Sequence, residues 1–97
     1  MENKVLKVNF YATLRPIIGK KTVELPLQEG LTAIQLVRIF VRDYPLMHKE
    51  LLDEDGNFLP HMKFFINGRQ AEYLPNKMDT EVAQNDIIDI FPPVGGG

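Results

Sequence analysis

One stretch of this chain has a helical period, and it stands between stretches that alternate. Residues 31 to 44 read LTAIQLVRIFVRDY. Ala33, Val37, Phe40, Val41 and Tyr44 recur at helical spacing and give a broad apolar stripe, with Arg38, Arg42 and Asp43 on the wet side. Thr32 suits the N-cap, and Gln35 follows at the spacing of a capping box. Leu31 and Leu36 take the two positions of a hydrophobic staple. Pro45 ends the helix near Tyr44. A lone helix with one apolar stripe must lay it against another layer, and the rest of the chain supplies a sheet.

In KVLKVNFYA, residues 4 to 12, Leu6, Val8 and Phe10 share one face and Lys7, Asn9 and Tyr11 the other. A turn around Ile18-Gly19-Lys20 leads into KTVELPL (21–27), where Pro26 restricts the segment to a sheet edge or a strand end. Residues 46 to 60 read as a short apolar turn followed by the polar loop DEDGN. Met62, Phe64 and Ile66 alternate before Asn67-Gly68, the preferred pair for a type I′ hairpin, and a short strand follows. A polar connection, NKMDTEVAQND, precedes the last strand, IIDIF (87–91), which Pro92 stops.

The expected class is α+β: a mixed sheet with one main helix on one face and the other face open. Tyr11, Phe65 and Phe91 each fall on the face opposite their strand's main apolar set. If the first, third and last strands are neighbours, these rings form one aromatic patch, of the kind that marks a partner surface.

Ninety-seven residues make one domain, and neither a repeat nor a linker interrupts them. The folded body is expected over residues 4–91, with an extended tail over 92–97. A net charge of −2 gives no basic footprint for nucleic acid and does not favour an anionic membrane. With no cysteine there is no disulfide, thiolate metal site or catalytic thiol. No signal peptide or membrane span is read, so the expected location is cytoplasmic. His48 and His61 lack ligand spacing. The run Asp53-Glu54-Asp55-Gly56-Asn57 fails the calcium-loop pattern, since Phe64 stands where the closing Glu belongs. Phosphate loops, dinucleotide fingerprints and nucleophile elbows are also missing. The chain therefore offers no catalytic apparatus of its own, and no bound cofactor or metal is expected.

That turns attention to FPPVGGG (91–97). A terminal carboxylate is an anion at neutral pH and inert as an electrophile until activated. Glycine leaves its carbonyl unhindered and lets the backbone pass close to the walls of a channel. Pro92 and Pro93 favour an extended exit. Six residues reach about 20 Å, enough to enter a partner's site.

These pieces resemble the small subunit of molybdopterin synthase, within the ubiquitin-like β-grasp sulfur carriers that include the thiamin-pathway carrier. The resemblance runs from about residue 4 to 97, through VNFYATLRPIIG (8–19), RDYP (42–45), LLDEDGNFLPHMKFFINGR (51–69) and MDTEVAQNDIIDIFPPVGGG (78–97). Its most specific part is IFPPVxGG, Ile90 to Gly97. The resemblance implies a β-grasp fold and a sulfur-donating transferase subunit. Gly97 would be adenylylated by an E1-like adenylyltransferase that uses ATP, then converted to a thiocarboxylate (1-thioglycine). Its tail would insert into the large synthase subunit, within a heterotetramer, and donate sulfur to the pterin precursor of molybdenum cofactor. Gly96 and Gly97 carry over as the active terminus. Pro92, Pro93 and Val94 match the tail motif, and Tyr11, Arg15 and Phe91 match docking positions. Gly95 and Asn85 depart from the usual pattern; Gly95 adds mobility, and Asn85 replaces a turn glycine whose conformation Asn tolerates. A ubiquitin-like modifier joined through Gly97 to lysines, or a carrier for another sulfur pathway, would need the same terminus.

Overall fold

The computed structural model describes residues 5–92, so Pro93 to Gly97 lie outside the described residues. Strands β1 (Val5–Phe10), β2 (Thr22–Pro26), β3 (Lys63–Ile66), β4 (Arg69–Gln70) and β5 (Ile87–Phe91) form a five-stranded sheet in the order β2-β1-β5-β3-β4. β1 and β5 run parallel, and the other pairs are antiparallel. A parallel pair needs a long crossover, and nearly the whole chain lies between these two strands. Pro26 closes β2 on the sheet edge, where a missing N–H costs no ladder bond.

The main helix, α2 (Ala33–Asp43), crosses one face. Its capping box forms as expected: the Gln35 amide donates to Thr32 Oγ1 at 3.3 Å, and the Thr32 amide donates to Gln35 Oε1 at 3.0 Å. Ala33, Leu36, Val37 and Phe40 are buried against Leu6, Val8 and Phe10 of β1 and Ile88 and Ile90 of β5. The Phe10 and Phe40 rings meet edge to face at 4.9 Å. No polar or charged residue is fully buried among the described residues.

Three connections hold more structure than their sequences suggest. The turn before Lys20 begins with a 3₁₀ turn (Ala12–Leu14) and a short helix, α1 (Arg15–Ile18), that buries Leu14 and Ile18. Gly19 ends that helix at φ 84°, a conformation glycine adopts without strain. The stretch after Tyr44 contains a 3₁₀ turn (Pro45–Met47) and helix α3 (His48–Leu51), which set Met47, Leu51 and Leu52 into the core. The connection before β5 is not simply polar, because Val82 enters the core and Met78 packs against it. It also clasps the start of α2: the Ala33 amide donates to the Thr80 carbonyl, and the Val82 amide to the Leu31 carbonyl. The DEDGN loop is a turn in which Asp53 Oδ1 accepts from the amides of Asp55 and Asn57. The hairpin after Ile66 has positive φ at Asn67 and Gly68, as a type I′ turn requires, and Asn85 takes φ 73°.

Candidate docking face and tail exit

The sheet face away from α2 carries the candidate site. Period-two alternation puts Asn9, Asp89 and Phe65 on one row across β1, β5 and β3, because Asn9 registers with Asp89 and Asp89 with Phe65. The next row up holds Tyr11, just past the end of β1, then Phe91, then Lys63. The central position of β5 therefore makes neighbours of the three rings. Tyr11 and Phe91 stack at 4.1 Å with planes 10° apart, and Phe65 meets Phe91 at 5.4 Å and 78°. The expected patch is present, and its members are half-buried. Ile87, 51% exposed, adds apolar surface four residues down β5 from Phe91, with Asp89 between them.

Arg15 joins the patch from α1. Its Nε donates to the Phe10 carbonyl at 2.9 Å, and its guanidinium carbon lies 5.3 Å from the centre of the Tyr11 ring. Tyr11 is thus held between a cation and a second ring. Pro92 follows Phe91 directly and ends the strand, so the tail leaves the body beside the stacked rings. Pro93, Val94, Gly95, Gly96 and Gly97 lie outside the described residues.

Under the aromatics runs a polar network that the sequence reading did not single out. Asp89 Oδ1 accepts from the Tyr11 hydroxyl at 2.8 Å and from Asn9 Nδ2 at 3.0 Å. Asn9 Oδ1 in turn accepts from the Thr22 hydroxyl at 2.7 Å. The available signal was an aspartate inside an otherwise apolar strand, a position that residue disfavours. The network raises the Tyr11 pKa above its usual value. The hydrogen bond to Asp89 is the largest cause, followed by burial and the Asp89 charge, and Arg15 opposes them.

The face offers a binding surface of half-buried rings beside a carboxylate and a guanidinium. His48 and His61 are exposed, and among the described residues no three His, Cys, Asp or Glu side chains gather as metal ligands. No helix there is long and apolar enough to cross a membrane.

Comparison with known proteins bears on the family and the fold. The sequence pattern of the ThiS family matches residues 8–97. The chain is 32% identical over 92 residues to small archaeal modifier protein 3 of Haloferax volcanii, covering 95% of this chain and 98% of that protein. It is 29% identical over 93 residues to the molybdopterin synthase sulfur carrier subunit of Dictyostelium discoideum, covering 94% of each. The solution structure of small archaeal modifier protein 1 from Methanosarcina acetivorans superposes with a TM-score of 0.79 at 25% identity, covering the whole of both chains. The fold is the ubiquitin-like β-grasp that the resemblance implied.

Proposed function

The chain belongs to the ThiS family of ubiquitin-like sulfur carriers, and from that premise we propose that it is the sulfur-carrying subunit of a molybdopterin synthase. The observation that carries the reading is the run from Ile90 to Gly97: a central strand ends at Phe91, against the open aromatic face, and passes straight into PPVGGG. A partner that covers this face receives the tail at a fixed point of entry.

Gly97 carries the reacting carboxylate. An E1-like partner attaches it to the adenylyl group of ATP and releases pyrophosphate. A donor supplying sulfur at the sulfide level then displaces AMP from the acyl carbon, gives up its proton to solvent and leaves a terminal thiocarboxylate. In the large synthase subunit that sulfur attacks a side-chain carbon of the pterin precursor and displaces an oxygen leaving group, and hydrolysis of the resulting thioester restores the carboxylate. Gly96 and Gly95 leave the carbonyl open to attack, while Pro92, Pro93 and Val94 direct the tail into the partner's channel. Phe91, Tyr11, Phe65 and Arg15 hold the body outside.

A second reading is favoured by the 32% match to an archaeal modifier protein: conjugation of Gly97 to lysines of other proteins. Intact-mass spectrometry of the protein from its native host separates the two. Exchange of one terminal oxygen for sulfur supports the carrier reading, and Gly-Gly remnants on lysines of other proteins support the modifier reading. If neither is found, and deletion of Gly96-Gly97 leaves cofactor synthesis intact, both readings are lost.

A further inference from the structure

We propose that Asp89 makes the open face selective for a partner that presents an arginine. The inference deepens the docking role given above and rests on it. Asp89 is the acidic residue at the middle of the patch, with Phe65 beside it in the ladder and Phe91 and Ile87 two residues away along β5. Its Oδ1 is fully engaged, by Tyr11 at 2.8 Å and Asn9 at 3.0 Å. Its Oδ2 accepts no hydrogen bond among the described residues. The protein's own nearby cations do not fill that role. Lys63 is paired with Glu72 at 3.3 Å, Arg15 is tied to the Phe10 carbonyl, and Lys7, diagonal to Asp89, lies in no ion pair among the described residues.

A partner that covered this patch with apolar side chains alone would strip water from a carboxylate and leave one oxygen unanswered. Such burial is costly and works against the wrong partner. A partner with a cation aimed at Oδ2 avoids that cost. The surroundings favour a guanidinium over an ammonium, since it is planar, less strongly hydrated and able to lie against ring surfaces. Arg15 already lies against Tyr11 in this way from the other side. Asp89 is therefore a specificity-determining residue that acts before any sulfur chemistry.

The test measures binding of the full chain to the large synthase subunit of the same host, by calorimetry at two salt concentrations. The variants are Asp89→Asn, Asp89→Arg and Phe91→Ala. Asp89→Asn keeps the shape and an acceptor for Tyr11, and its thermal midpoint checks folding. The expected result is a loss of about 30-fold or more for Asp89→Asn, with a shallower salt dependence. One arginine-to-glutamate change in the large subunit should weaken the unaltered chain and restore binding to Asp89→Arg. If Asp89→Asn binds as tightly as the unaltered chain while Phe91→Ala binds weakly, the arginine proposal is overturned and the docking face stands. If Phe91→Ala also binds normally, or the unaltered chain does not bind, the docking reading falls and takes the proposal with it. If Asp89→Asn does not fold, the salt dependence of the unaltered chain and the arginine scan decide: a flat salt response and no sensitive arginine overturn the proposal.

Discussion

Phe91 does two things from one backbone position. As the last residue of β5 it fixes where the tail leaves the body, and its ring is the one that both Tyr11 and Phe65 touch. Tyr11 reports on the same place. Its neutral form is held by the hydroxyl bond to Asp89, so its folded pKa lies above the value of about 10 found in an unfolded chain. The sign follows directly. This stabilisation is fully present below pH 10 and is lost as pH rises through the higher folded value. In a Tyr44→Phe, Tyr73→Phe background, ultraviolet titration of Tyr11 should show a midpoint above the ordinary tyrosine value. Adding Asp89→Asn should lower that midpoint, since the carboxylate's charge is gone and the amide oxygen that remains is a weaker acceptor. A midpoint that Asp89→Asn leaves unmoved would show that burial alone is responsible.

At the scale of elements, α2 was the most legible part of the chain, and its legibility has a local cause. The capping box lies within four residues, so Thr32 and Gln35 could be read together. Thr32→Ala removes the acceptor for the Gln35 amide and should cost about 1 kcal/mol in denaturant unfolding. The Asn67-Gly68 turn was equally plain, and it makes a cleaner test. A Cβ on Gly68 meets no atom within 4 Å, so Gly68→Ala probes only the backbone at φ 84°. It should cost about 1–2 kcal/mol with the hairpin otherwise intact. Asn67 does more than turn the chain, because its side chain bonds Asp86 and the Ile87 amide and so ties β3 to the start of β5. Nothing in the local pattern foretold that tie, nor the clasp of residues 80–82 on the start of α2. Both are contacts between segments far apart in sequence, and backbone bonds such as Val82 to Leu31 leave no mark on side-chain choice. The aromatic patch lay between these cases. Its three residues could be assigned a face by alternation, but only the strand order β1-β5-β3 made them neighbours.

At the scale of the whole molecule, the strand nearest the tail is also the strand that completes the sheet. β5 lies between β1 and β3, with Ile88 and Ile90 fully buried, so the body is not closed until residues 87–91 are in place. Stability and the proposed delivery therefore fall on adjacent residues but should separate cleanly by mutation. Ile90→Ala opens a cavity under the helix and should cost about 2–5 kcal/mol, lowering the thermal midpoint while leaving the diglycine chemically intact. Deleting Gly96-Gly97 leaves every residue of the described sheet and core in place and should leave the midpoint unchanged, yet under the proposed carrier function it should abolish formation of the terminal thiocarboxylate and synthesis of the cofactor. Calorimetry of both variants beside a cofactor-synthesis assay checks the pair. A deletion that lowers the midpoint as much as Ile90→Ala would mean that the tail is part of the fold. A deletion that keeps cofactor synthesis would mean that the sulfur travels elsewhere.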